Sequence, residues 1–91
     1  MQSEFVLIRL LLTEFSESGV RVFAQRSSVS FDEILRAEQL GFKAKHKLVL
    51  NDFEYNGEQV VEMEGKRLAV YRTYNPGGGK IEVYVESKLG I

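Results

Sequence analysis

The stretch that most constrains the fold of this chain is Leu68 to Glu86, LAVYRTYNPGGGKIEVYVE. Two runs of β-branched and aromatic residues flank a five-residue connection, Asn75 to Gly79, which holds the only proline and three consecutive glycines, the composition of a β-hairpin tip. On the second arm Ile81, Val83 and Val85 alternate with Glu82, Tyr84 and Glu86, the period of a half-buried strand. The pair is therefore read as one wall of a small β-rich core, with a flexible glycine-rich tip.

The rest of the chain supplies further strands. Val6, Ile8, Leu10 and Leu12 form an apolar face, and Phe5, Leu7, Arg9, Leu11 and Thr13 a mixed one, as in a strand with one side in the core. The apolar run from Phe5 to Leu12 is eight residues long and contains Arg9. A membrane-spanning helix needs about 20 apolar residues, so no membrane partner is expected. Glu4 before the run and Thr13-Glu14 after it also lack the basic and small flanks of a signal peptide. Ser16 to Gly19 carries turn chemistry, with Gly19 available for positive φ. A second strand, Val20 to Val29, alternates imperfectly because Phe23 lies opposite Val20, Val22 and Ala24; a bulge or two-sided packing explains it equally well.

One helix is expected, starting at Ser30. Ser30 and Glu33 have the spacing of a capping box, with the hydroxyl and the carboxylate each satisfying an orphan backbone N–H. Phe31, Ile34 and Leu35 share one side, which predicts that the helix leans on the sheet through them, and Gly41 after Leu40 supplies its C-terminal stop. Lys43, Lys45 and Lys47 then recur at period two, around His46, as a basic face on the next strand. That face reads as a solvated edge that discourages strand addition, or as a contact for phosphate or an acidic partner. The strand runs Lys47 to Tyr55, Asn56-Gly57 predicts a hairpin, Glu58 to Glu64 returns, and Gly65 marks a turn before Lys66 to Tyr74.

The fold expected is mainly β: a single domain over residues 1–91, a small six-stranded antiparallel β-barrel with one short α-helix between strands 2 and 3. The last four strands follow one another as a meander, the helix packs across one barrel opening, and closure removes the exposed sheet edges. So small a core gains from assembly with other subunits.

The chemistry available is sparse. Without cysteine there is neither a disulfide framework nor a thiolate metal site, and the simplest compartment is intracellular. His46 is the one imidazole and is flanked by lysines, while the serines fall at turns and at the helix start, where backbone capping explains them. Asp52 and Glu54 on one strand face make a poor cation site. Pro76-Gly77-Gly78-Gly79-Lys80 fails as a phosphate loop, since Tyr74 stands where the first glycine belongs and Ile81 where Ser or Thr should follow. No catalytic residue, metal site or cofactor is assigned. A nucleic-acid-binding barrel would use Arg67, Tyr71, Arg72 and Tyr74. A net charge of −1 and the neighbouring Glu82 and Glu86, available for cross-strand Arg–Glu pairs, argue against it.

In order, Glu54-Tyr55-Asn56-Gly57-Glu58, Glu64-Gly65-Lys66-Arg67, Val70-Tyr71-Arg72-Thr73-Tyr74 and Lys80-Ile81-Glu82-Val83-Tyr84-Val85-Glu86, with a closing Leu89-Gly90, resemble the head-tail joining proteins of bacteriophages and prophages. That family comprises head closure, head-tail adaptor and connector proteins. Phe31-Asp32-Glu33, Ala37 and Leu40-Gly41-Phe42-Lys43 resemble its helix region, so the likeness covers about residues 30 to 90. The chain departs from the pattern at Ala44, Lys45, His46 and Leu68. The resemblance implies a virion protein, assembled in the host bacterial cytoplasm, that forms a homo-oligomeric ring at the head-tail interface. Its neighbours would be a portal or adaptor protein on the head side and a tail-completion protein on the tail side, with no sequence-specific nucleic acid. It implies no catalysis. The alternatives are an OB-like nucleic-acid-binding barrel and a related tail-completion or tail-terminator protein. Lys43, Lys45 and Lys47 on the basic strand, and Asn75, Pro76, Gly77, Gly78, Gly79 and Lys80 at the tip, are the candidate interface residues.

Overall fold

The structure is a computed structural model that describes residues 4–87; the Leu89-Gly90 ending lies outside the described residues. Six strands close into an antiparallel barrel: β1 (Glu4–Leu11), β2 (Val20–Ser27), β3 (Ala44–Asn51), β4 (Val60–Met63), β5 (Lys66–Gly77) and β6 (Lys80–Glu86). The helix α1 (Phe31–Gln39) lies between β2 and β3. The closed strand order is β1-β2-β3-β6-β5-β4, and β1 pairs with both β2 and β4, which leaves no free edge in the ring. Alternation fills the interior with Ile8, Leu10, Val22, Ala24, Leu48, Leu50, Val61, Met63, Leu68, Ile81, Val83 and Val85.

The expected meander holds for β4, β5 and β6 but not for β3, which pairs with β2 and β6. The segment between β3 and β4 is a crossover rather than a hairpin. β3 stops at Asn51, and Asp52–Glu54 turn as a 3₁₀ helix, so Asp52 and Glu54 do not share a strand face. Asn56-Gly57 does bend the chain, with Gly57 at φ +81°, but inside this connection. The bend is held by Glu58, whose buried carboxylate accepts the Asn56 N–H at 2.7 Å, while the Tyr55 hydroxyl donates to the Glu58 carbonyl. Local turn chemistry marks the bend correctly and says nothing about which strand comes next in the barrel.

Other expectations shift by a few residues for identifiable reasons. β1 ends at Leu11, so Leu12 is exposed and Leu11 is fully buried. Gly19 is not among the residues with positive φ; there the backbone passes so close to β1 that a Cβ would overlap the Leu10 carbonyl oxygen and lie 2.5 Å from Leu11 Cδ2. β1 and β2 pair in continuous register from Glu4↔Arg26 to Leu10↔Val20, so Phe23 is neither bulged nor covered, but exposed. The Glu64-Gly65 link between β4 and β5 has both residues at positive φ, as a type I′ hairpin requires.

The helix differs most from expectation. Its C-terminus closes as predicted: with Gly41 at φ +90°, the Phe42 N–H bonds to the Ala37 carbonyl and the Gly41 N–H to that of Glu38, both bonds of a Schellman motif. At the N-terminus Ser30 Oγ accepts the Glu33 N–H at 3.2 Å. The Glu33 carboxylate does not reciprocate, because it is turned into the protein. The buried helix residues are Glu33 and Ala37, whereas Phe31 and Leu35 are exposed and Ile34 is half-buried. The predicted apolar contact face is thus largely a solvent face. α1 lies nearest β3 and is fastened to β5 through Glu33, which bonds Tyr71 and Arg72.

Candidate interaction surfaces

The joint between helix and barrel assembles residues from four places in the chain. Arg72 forms a two-pronged pair with Glu33, from Nε to Oε2 at 3.1 Å and from Nη2 to Oε1 at 2.7 Å. The Tyr71 hydroxyl donates to the same Oε2 at 2.8 Å. Arg72 also lies 4.0 Å over the Tyr84 ring, and Tyr71 stacks on Phe42 with centroids 5.1 Å apart. Because β5 pairs Val70 with Val85 and then Arg72 with Tyr84, Tyr71 is an extra residue in a bulge, and this re-aims it towards Glu33. Val83 and Val85 fill the core, so Tyr84 points out of the barrel, where the joint covers it.

The electrostatics follow from this packing. The Arg72 hydrogen bonds hold the Glu33 carboxyl below the usual carboxylate range against the opposing effect of its own burial. Burial, with the bond to Glu33 second, pushes the Tyr71 hydroxyl strongly up; burial and the bond to Glu82 push Tyr84 up to about 12. The joint is a satisfied ionic and aromatic cluster, a form suited to fixing the helix on the barrel.

Two residues proposed for nucleic-acid contact, Tyr71 and Arg72, are therefore occupied within the chain. A third, Arg67, pairs with Glu62 at 3.3 Å and donates to the Glu14 carbonyl. Tyr74 is half exposed opposite Glu82. The Arg–Glu pairing expected from the sequence exists, with Glu33 and Glu62 as partners in place of Glu82 and Glu86.

The interface candidates fall into two groups at opposite ends of β3. Lys43 and Lys45 are exposed and Lys47 is half-buried opposite Tyr84. The β3–β6 register slips between Ala44 and His46, so Lys45 is an unpaired extra residue and the three lysines do not form one continuous period-two row. Lys45 and His46 line a cleft of about 600 Å³ with Arg26 and Ile34. Burial, then the nearby Arg26 charge, lowers the His46 pKa. Arg26 itself is engaged by Glu4 and, at 3.0 Å, by Glu64.

The tip lies at the far end, since Asn51 pairs with Lys80 whereas Ala44 pairs with Glu86; along β3, Lys47 stands four residues from that end, roughly 13 Å, and Lys45 six, roughly 20 Å. It is tighter than its composition predicts. β5 runs on through Asn75, Pro76 and Gly77, and only Gly78 and Gly79, both at positive φ, form the turn. The Gly79 carbonyl accepts the Asp52 N–H at 2.9 Å, and Lys80 Nζ donates to Asn51 Oδ1 at 3.0 Å, so the hairpin end is pinned to the end of β3 while residues 75–80 remain exposed.

Sequence reasoning missed a third surface. Phe5, Leu7 and Phe23 are exposed on the outer side of β1 and β2. Their signal was present as the mixed face of the first strand and the misfit of Phe23. Among the described residues no group of three or more His, Cys, Asp or Glu is placed to hold a metal ion, and no helix is long and apolar enough to cross a membrane. Neither a protein-family model, nor a curated protein, nor a solved structure matches the chain.

Proposed function

We propose that this chain is a structural virion or prophage protein that assembles as a ring between portal and tail, closes the filled head and seats the tail. The reading rests on the order of the motifs that resemble the head-tail joining proteins. One observation carries it beyond word matching: motifs 38 residues apart meet in a single joint, Phe31-Asp32-Glu33 supplying the carboxylate and Tyr71-Arg72-Thr73-Tyr74 its hydroxyl and guanidinium partners. The spacing that carries the resemblance is therefore also the spacing that builds the fold. The proposal assigns no catalytic role. Lys43, Lys45 and Lys47 at one end and Asn75 to Lys80 at the other supply two separated contact regions, as a part clamped between two neighbours requires. The nucleic-acid reading is weakened because Arg67, Tyr71 and Arg72 are already paired.

The test is a completion assay with DNA-filled heads that lack this protein. Added protein is expected to make the packaged DNA nuclease-resistant and to restore tail attachment; heads left unchanged would sink the proposal. Purified protein is expected to bind DNA no tighter than about 10⁻⁶ M at moderate salt, the non-specific range. Replacing Pro76 to Lys80 by Asn-Gly, which keeps the Tyr74–Glu82 register and the core residue Ile81, should leave the barrel folded and abolish completion. If completion persists, the tip is only a connector.

A further inference from the structure

Two faces of the barrel are apolar, exposed and unlike one another. On the outer side of β1 and β2, Phe5 and Leu7 share one side of β1 and Phe23 pairs directly with Leu7, at exposures of 74%, 49% and 66%. The row continues with Arg9 opposite Arg21. Arg9 and Arg67 share the single carboxylate of Glu62, and Arg21 is exposed with no ion pair among the described residues. Glu64 lines the same groove but is paired with Arg26, so Arg21 is the guanidinium without an acidic partner and leaves this edge basic. The other face is the solvent side of α1, where Phe31 and Leu35 recur at i, i+4 with Asp32 and Glu38 exposed beside them. Arg36 is exposed on the same helix, so Asp32 and Glu38 against Arg36 leave the outer side with a net charge of −1.

We propose that the acidic apolar face of α1 on one copy docks against the arginine-edged apolar face of β1 and β2 on a second copy. This names the subunit contact of the proposed ring and rests on that reading for its biological setting. Two observations commit the occupant to another copy. First, the charges are complementary: Asp32 and Glu38 on one side, Arg9 and Arg21 on the other. Second, the faces lie on different parts of the barrel surface. In the closed order β1 stands three places from β6, and β2 three from β5, while the helix lies nearest β3 and is fastened to β5 through Glu33. A contact between two different faces of a subunit is heterologous and propagates into a ring when its rotation closes. The area suffices. With about 200 Å² for a whole phenylalanine, Phe5 and Phe23 together expose roughly 280 Å². With Leu7, and with Phe31 and Leu35 opposite, the joined faces approach the non-polar share of an interface of about 1,200 Å².

The test uses two double variants of the full chain at exposed positions. Leu7→Glu with Phe23→Glu blocks the sheet face, and Phe31→Lys with Leu35→Lys blocks the helix face. By analytical ultracentrifugation up to about 1 mM, where association is worth only about −4 kcal/mol, wild type is expected to grow beyond dimers. Each variant alone should stay monomeric, and their equimolar mixture should form a dimer and stop there, since each contributes one intact face. A wild type that remains monomeric, a variant that still associates, or a mixture that stays monomeric overturns the contact. Association persisting in both variants would leave the ring reading alive through other surfaces; head completion decides that reading separately. DNA binding that is lost in the sheet-face variant with self-association unchanged would make nucleic acid the occupant. Should a double variant fail to fold, Arg21→Glu and Glu38→Arg replace them. Each alone should weaken association severalfold at low salt and the pair mixed as one doubly swapped chain should restore it; unaltered association in both overturns the proposal.

Discussion

Glu33 and Arg72, 39 residues apart in sequence, close a two-pronged ion pair that fastens the helix to the outside of the barrel. Glu33 is 7% exposed; its N–H donates to the Ser30 hydroxyl, while its carboxylate serves the joint. Replacing one partner leaves the other without its match in a covered site. Glu33→Gln is expected to destabilise the fold by about 1–2 kcal/mol, kept at the lower end because the Arg72 side chain is 37% exposed. For a domain of this size that lowers Tm by roughly 4–15 °C. A double-mutant cycle with Arg72→Met should return a coupling energy of the same sign; additive losses would show the pair to be energetically idle.

The same pair sets a pH dependence. The folded Glu33 pKa lies below the unfolded value of about 4.3. Its contribution is therefore fully present above about pH 4.3 and is lost as pH falls through the folded pKa. Glu62, lowered mainly by its hydrogen bond to Arg9, acts in the same direction. Urea midpoints measured between pH 6 and pH 2 should fall towards acid, and the gap between wild type and Glu33→Gln should narrow there. A gap independent of pH contradicts the assignment.

At the alkaline end the sign reverses. Tyr71 and Tyr84 are held protonated, Tyr84 up to about 12, chiefly by burial. Their contribution is present below the ordinary tyrosine pKa of about 10 and is lost as pH rises through the folded values. Phenolate absorbance of the native protein should show a portion that appears only near pH 12 or on unfolding, and Tyr84→Phe should reduce it. Full ionisation by pH 11 with the fold intact would contradict the buried position.

Glycine substitutions should separate two mechanisms. Gly19→Ala forces a Cβ into the Leu10 carbonyl and Leu11, so a loss of about 1–3 kcal/mol is expected from overpacking at the β1–β2 crossing. Gly65→Ala meets no neighbour and only strains a backbone at φ +80°, for about 1–2 kcal/mol. Gly65→Asn should lose much less than Gly65→Ala, whereas Gly19→Asn should recover none of the loss of Gly19→Ala. Equal recovery at position 19 would refute the steric account.

Leu48 tests the core. It is fully buried at the meeting of β2, β3 and β6. Leu48→Ala is expected to cost about 3–5 kcal/mol, most of the stability of a 91-residue domain, and to broaden or abolish the cooperative melt. A loss under about 1 kcal/mol would place Leu48 outside the core.

Much of the architecture was legible because it is written at short range. The alternation of Ile81, Val83 and Val85, the turn signals at Gly65 and Gly78-Gly79, and the Ser30 to Gly41 helix limits each depend on neighbours within a few residues. The candidate lysines and the tip were likewise legible as exposed segments, but not that they stand at opposite ends of β3. The exposed Phe5, Leu7 and Phe23 face was unreadable as a surface, because an apolar side chain carries no mark of whether anything covers it.

By itself the sequence determined the strand and helix segments, the single helix between the second and third strands, and enough β-strand with too few covering elements that a closed barrel was the economical outcome. Only the tertiary structure decided that β3 pairs with β6, since the Asn56-Gly57 bend is compatible with either partner and the choice lies in long-range packing of Leu48 and Leu50 against Ile81 and Val83. Only it decided which side of α1 faces inward. Hydrophobic periodicity favoured Phe31 and Leu35, but a bulge at Tyr71 brings a hydroxyl and a guanidinium to Glu33, and that charged joint turned the helix so that its apolar stripe meets solvent.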